Sequence, residues 1–465
     1  MLSQLRIRIP EGTLSSFKQK FSSNEKNLLA QNVCYRTDLW ETCRQQDQVW
    51  RSPHVFNYKA GEGKPMTNQK SSGRCWLFAC LNVLRVPVAK HFKLEEMEFS
   101  QNYLFFWDKV ERANYLLDVF VDISKKGKNP DGRLMSHLLT NPIDDGGQWD
   151  MLVNIVEKYG LVPKTCFPDA HSAESSLRMG RMINNKMREF CMRLHSMVKE
   201  EKSEEEIASE KTKMLEEIYR ICSISLGTPP ETITWEFYDN EKKYRKVGPI
   251  KPIDFYKEHI KPLSDLKNMV CIVNDPRPNN IYDKLYTVEY LNNMTSARTV
   301  LYINQPIQVL KELALASIKE GEPVWFGCDV GKFFSRKPGI LDLNIINTDL
   351  VFGTNLLGMT KAERLQYGDS LMTHAMVLSA AHVEDEKRTV RWRVENSWGD
   401  ADGDKGFVVM TDDWFSEFVY EIVIDKKHVP SKILDVLNQT PVVLPAWDPM
   451  GALAVNPDAG HAAKM

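Results

Sequence analysis

The 465-residue chain lacks three features, and each absence narrows what it can be. No apolar run approaches the roughly 18 residues that a membrane-spanning helix needs, so no membrane role is expected. Neither sign of charge dominates: 60 Lys and Arg stand against 62 Asp and Glu, a net charge of -2. A global basic field that would draw in phosphate backbones is therefore missing. The nine cysteines form an odd set without the spacing of a disulfide framework, so free thiols are expected. The first residues, with arginines from Arg6 onward, also lack the apolar core of a secretory signal, and a cytoplasmic protein is expected.

Hydrophobic residues make up 43% of the chain and charged residues 26%, an ordinary globular balance. The length exceeds one usual domain, which predicts a large core carrying insertions. Leu14 to Asn32 reads as an external helix. From Cys75 to about His91, Trp76, Leu77, Ala79, Cys80, Val83 and Leu84 recur at helical spacings and predict a buried helix kinked at Pro87. An aromatic-rich helix over Glu98 to Trp107 follows, then a loop ending in Asp144-Asp145-Gly146-Gly147-Gln148-Trp149-Asp150. Residues 171–225 are helical and charged, with a solvated loop over Lys199 to Glu206. Strands are expected at Met269 to Val273, Thr299 to Ile303 and Val324 to Cys328, with a helix near 307–320 between the last two. His374 to Ser379 and Thr389 to Glu395 read as two strands joined by the charged turn Glu384 to Arg388.

The chemistry gathers at three places. Gly73-Arg74-Cys75-Trp76 sets a cysteine in the first turn of a buried helix, where unpaired N–H groups and the helix dipole favour a thiolate nucleophile. His374 begins one strand of the hairpin and Asn396 ends the other, so the hairpin brings them together and the amide can hold the imidazole. Gln69 stands six residues before Cys75. Gly146 and Gly147 permit close approach of an extended substrate backbone, and Trp398 is placed to shield the His–Asn bond.

These strings resemble the papain-like cysteine peptidases. The matching segments are Gln69-Lys70-Ser71-Ser72-Gly73-Arg74-Cys75-Trp76, Thr373-His374-Ala375 and Glu395-Asn396-Ser397-Trp398-Gly399, in the family's Cys, His, Asn order. Papain relatives place the histidine and asparagine about 130–150 residues after the cysteine, whereas 374 - 75 = 299 here. The excess of about 150 residues, together with Glu98-Phe99-Ser100-Gln101, Asp145 to Met151 and Trp447 to Ala454, is similar to the family's bleomycin hydrolase branch.

The resemblance implies an α+β fold: a helical subdomain plus a β-rich subdomain with large insertions and a C-terminal arm. The expected layout is a single catalytic unit, with an N-terminal extension (1–65), the nucleophile subdomain (66–165) and an inserted helical and β region (166–310). The His–Asn subdomain (311–440) and an arm and tail (441–465) follow. It also implies an oxyanion donor in Gln69, and a thiol aminopeptidase acting on peptide substrates without a cofactor, assembled as a homohexamer. Bleomycin-type amides and homocysteine thiolactone are further implied substrates. In the branch, the arm lies in the cleft and its final carboxylate holds the substrate's amino group, a role implied here for Ala454. Eleven residues, Val455 to Met465, follow it and read as mobile.

Cys191 and His195 share a helical face, yet two ligands make no metal site, and no metal is expected. The basic residues of Arg178 to Lys199 read as a solvated face, not a nucleic-acid surface. A Cys-His-Asn acyltransferase shares the nucleophile. A reading of another class is a nucleic-acid-binding or chaperone-like assembly on a peptidase fold, which the near-neutral charge opposes.

Overall fold

The computed structural model describes residues 8–385 and 388–452. Among them no helix is long and apolar enough to cross a membrane. Two hydrophobic cores organise the molecule. The first gathers the helix Cys75–Phe92, the aromatic helix Gln101–Lys125, the helix Trp149–Tyr159 and the long pair Leu177–Lys199 and Glu204–Leu226. The second fills the β-rich half beneath the helices Ile307–Lys319 and Asp412–Phe418.

One twelve-stranded sheet runs through the β-rich half. At its centre Val419–Asp425, Val324–Cys328, His374–Glu384 and Arg388–Glu395 lie side by side, antiparallel. The strand His374–Glu384 is buried on both faces because it separates the two cores. Ala375 and Val377 join the first and Met376 and Leu378 the second, the two-residue alternation of a strand. That explains its unbroken apolar reading. Strands Met269–Val273, Lys284–Val288 and Tyr302–Asn304 extend the same sheet beyond Val419–Asp425, so the β part of 166–310 is continuous with the His–Asn subdomain.

Several local expectations are corrected. Leu14 to Asn32 is two helices, Glu11–Ser22 and Glu25–Cys34, because Asn24 turns its side chain onto Lys26 N (3.0 Å) and caps the second. The loop at Lys199 to Glu206 shrinks to residues 200–203, since Ser203 and Glu206 form a reciprocal cap and place three glutamates at the positive end of a helix. The strand expected from Thr299 begins only at Tyr302, because the N–H of Leu301 bonds the Asp150 carboxylate (3.1 Å) instead of a neighbouring strand. The helix from Cys75 runs through Pro87 to Phe92 and closes on Lys93 in the left-handed region (φ 54°). The turn at 384–388 includes residues 386–387, which lie outside the described residues, as does the expected mobile tail Val455 to Met465.

Candidate active site

Cys75 opens its helix without a side-chain cap from Arg74. The free N–H groups of the first turn are met by the thiol, which accepts hydrogen bonds from its own N–H and that of Trp76. A third comes from the N–H of Ala375, the residue after His374. The helix and the strand thus meet at the sulfur. The pairing of Val377 with Glu395 brings the start of one strand to the end of the other, and there His374 Nε2 donates to Asn396 Oδ1 at 2.9 Å. The amide oxygen also accepts the N–H of Ser397 (2.8 Å), which fixes it as the acceptor and leaves His374 Nδ1 as the basic nitrogen. Trp398 covers the imidazole at a ring separation of 4.8 Å.

Gln69 belongs to the same constellation. Its N–H bonds the Ser397 carbonyl (2.8 Å), its Oε1 accepts from Ser397 Oγ (2.7 Å), and its Nε2 donates to the Ser72 carbonyl (2.6 Å). The amide is thereby oriented, with the second Nε2 hydrogen left for an oxyanion. Gly399 extends the contact: its N–H reaches the Thr67 carbonyl, it lies in the left-handed region (φ 79°), and a Cβ there would strike the Asn68 amide at 2.7 Å.

Burial acts on both Cys75 and His374. Cys75 is 1% exposed and its thiol pKa is pushed up to about 12, chiefly by burial and against its three backbone hydrogen bonds. His374 is 2% exposed and its pKa falls to about 4 for the same reason, although the bond to Asn396 favours its charged form. Across the neutral range the proton therefore rests on the thiol and the imidazole is neutral, so burial opposes the thiolate that the helix start favours.

Gly147 lies flat on Trp76, where a Cβ would come within 2.7 Å of the indole. The Trp76 Nε1 donates to the Asp145 carbonyl (2.8 Å), locking this loop onto the nucleophile helix. Gly146 uses its N–H on Asp144 (2.9 Å) and its carbonyl on Arg112 (2.9 Å), so its polar backbone is engaged within the protein. Ala454 lies outside the described residues. The arm reaches the site two residues earlier, where Gln148 Nε2 donates to the Ala452 carbonyl (3.0 Å).

Three contributors escaped the sequence reading: Ser397 as the clamp on Gln69, the backbone N–H of Ala375 on the thiol, and Asp145 beneath Trp76. Ser397 and Ala375 stand inside quoted motifs, but neither residue type announces such a role. Cys191 is buried in the first core and His195 Nδ1 meets Ser124 Oγ (2.9 Å); the described residues contain no cluster of three or more metal-ligating side chains. On the basic helix, Lys186 pairs with Glu189 and Glu217, Arg193 with Glu210, and Arg188 with the carbonyls of Leu139 and Thr140. All nine cysteines are free thiols.

A model of the peptidase C1-like family matches residues 8–451. The chain is 57% identical over 444 residues to a bleomycin hydrolase of Mus musculus, covering 95% of this chain and 98% of that protein. It is 39% identical to an aminopeptidase C of Lactobacillus delbrueckii subsp. lactis, covering 95% and 98%. The crystal structure of PepW from Lactobacillus rhamnosis HN001 superposes with a TM-score of 0.93 at 40% identity, covering 96% of this chain and 99% of that one.

Proposed function

The chain belongs to the peptidase C1-like family, and from that membership we propose that Cys75, His374, Asn396 and Gln69 carry out thiol aminopeptidase chemistry on peptides. The observation that carries this reading is the meeting of the helix start and the hairpin end: the thiol sits on Ala375 N–H while Asn396 holds His374 by Nε2 at 2.9 Å. The proton passes from Cys75 to His374, and the sulfur attacks the carbonyl carbon. The oxyanion is stabilised by Gln69 Nε2 and the Cys75 N–H. The imidazolium then protonates the departing amine, leaving a thioester that water hydrolyses with His374 again as base.

The names of the relatives extend this chemistry to the amide of bleomycin, and homocysteine thiolactone offers the same acyl centre beside a free amine. A reducing cytoplasm suits nine free thiols, one of them the nucleophile. Self-association into a homohexamer is supported by the N-terminal helices Glu11–Ser22 and Glu25–Cys34. Neither buries a residue, and they expose Leu14, Phe17, Leu29 and Val33.

The test compares a fluorogenic aminoacyl amide with its N-acetylated form in reducing buffer, with Cys75→Ala as blank. Cleavage of the free-amine substrate alone supports the aminopeptidase. Equal cleavage of the acetylated form makes the enzyme an endopeptidase, and a variant as active as the parent removes Cys75 from the chemistry.

A further inference from the structure

The segment that leads into His374 is held by a carboxylate that takes no direct part in the chemistry. In the sheet His374 pairs with Cys328, so Asp329, the residue after the strand Val324–Cys328, stands opposite Thr373. Asp329 is 6% exposed. Its carboxylate accepts from Ser370 Oγ at Oδ2 (2.8 Å), from Thr373 Oγ1 at Oδ1 (3.2 Å) and from the N–H of Leu371. The Thr373 N–H closes the turn on the Cys328 carbonyl (3.0 Å). Three donors within residues 370–373 are thus gathered onto one side chain.

The arrangement is matched to a carboxylate. Tyr420 Oη donates to Ser370 Oγ (2.7 Å), so the Ser370 hydroxyl hydrogen is left for Asp329. Lys332 and Arg364 contribute to the field at Asp329, but their ion pairs are with Asp369 (3.1 Å) and Glu417. An amide in place of the carboxylate offers one oxygen and turns an NH2 group towards donors, leaving at least one of the three hydrogen bonds unmade. The Met372 side chain is seated by the same segment, its sulfur filling the space that a Cβ on Gly327 would need (2.7 Å).

Asn396 holds the His374 ring from the partner strand of the hairpin, and the start of the ring's own strand is the other point that must be fixed. A displacement of about 1 Å at such a group can slow a reaction about 100-fold. We propose that Asp329 is a positioning residue for His374: by gathering Ser370, Leu371 and Thr373 it sets where the strand begins, and with it the approach of the imidazole to the Cys75 thiol. This rests on the reading of His374 as the base.

The test uses Asp329→Asn, with Asp342→Asn as comparison, because Asp342 is equally buried (6%) and its carboxylate bonds Asn344 in another loop. Three quantities are measured for each: kcat and KM on a fluorogenic aminoacyl amide, the rate of iodoacetamide alkylation read on the Cys75 peptide, and denaturant unfolding. Asp329→Asn should lower kcat about 10- to 100-fold with KM within about twofold, and slow alkylation at neutral pH about tenfold, towards the rate of His374→Gln. Asp342→Asn should lose stability and keep kcat and the alkylation rate. Ser370→Ala and Thr373→Val should each give part of the kcat loss and add little to Asp329→Asn. Should Asp329→Asn not fold, these two variants decide the matter on the same readouts. Unchanged kcat and alkylation in folded Asp329→Asn, or in both single variants, overturn the proposal. An equal kcat loss in Asp342→Asn overturns it too, since burial of any acid would then explain the effect. A His374→Gln variant that turns over and alkylates like the parent defeats the base reading itself, whatever the Asp329 variants do.

Discussion

Arg85 and Glu395 form a buried ion pair between a helix and a strand: Arg85 Nη2 lies 2.6 Å from Glu395 Oε1, and the residues are 1% and 2% exposed. Arg85 belongs to the helix that Cys75 begins, and Glu395 precedes Asn396, so the pair ties the Cys75 helix to the strand that leads into Asn396. Arg85 also holds the carbonyls of Gly63 (3.0 Å) and Pro65 (2.7 Å), upstream of Gln69.

Arg85→Met should therefore destabilise the fold by about 3–5 kcal/mol, because it leaves the Glu395 carboxylate buried without a partner. Denaturant unfolding measures the change. A loss below about 1 kcal/mol would mean that water reaches Glu395 and the pair contributes little.

Asn396→Ala removes the acceptor that fixes His374 Nε2–H and should lower kcat about 10- to 100-fold while the protein stays folded. Steady-state kinetics with circular dichroism distinguish this from unfolding. An unaltered kcat would show that Trp398 alone suffices to orient the ring.

Gln69→Ala should lower kcat by about 10²–10³-fold with a smaller effect on KM, since an oxyanion donor acts chiefly in the transition state. Ser397→Ala frees the Gln69 amide oxygen without removing its donor and should cost less than Gln69→Ala. The reverse order of the two losses would assign Gln69 a structural role only.

His374 gives a pH signature. Its folded pKa of about 4 lies below the ordinary 6.5, so between these values the unfolded chain binds the proton more readily than the folded one. The stability that His374 contributes is complete above about 6.5 and falls away as the pH drops towards 4, by about 3 kcal/mol in all. Unfolding curves of the parent and His374→Gln across this window should differ in slope, and parallel curves would contradict the depressed pKa. The acid limb of kcat/KM should likewise lie well below 6.5.

The helix Ile307–Lys319 and the strands Met269–Val273, Val324–Cys328 and the His–Asn hairpin were legible because each carries its own period or its own run of buried side chains. The break at Asn24 and the cap at Ser203 were local signals misread within longer helical patterns. The late start of the strand at Tyr302 had no local signal, since Asp150 lies about 150 residues away along the chain.

The sequence by itself picks out Gln69, Cys75, His374 and Asn396 as the candidate site, because each role proposed for them requires a particular side chain at a particular place in a motif. What they are attached to was decided only by the tertiary structure. The thiol's third hydrogen bond, the Ser397 clamp and the covering of His374 all join residues distant in the chain. Burial and electrostatic balance depend on distances in space, and a sequence records only the order of the residues that the fold will bring together.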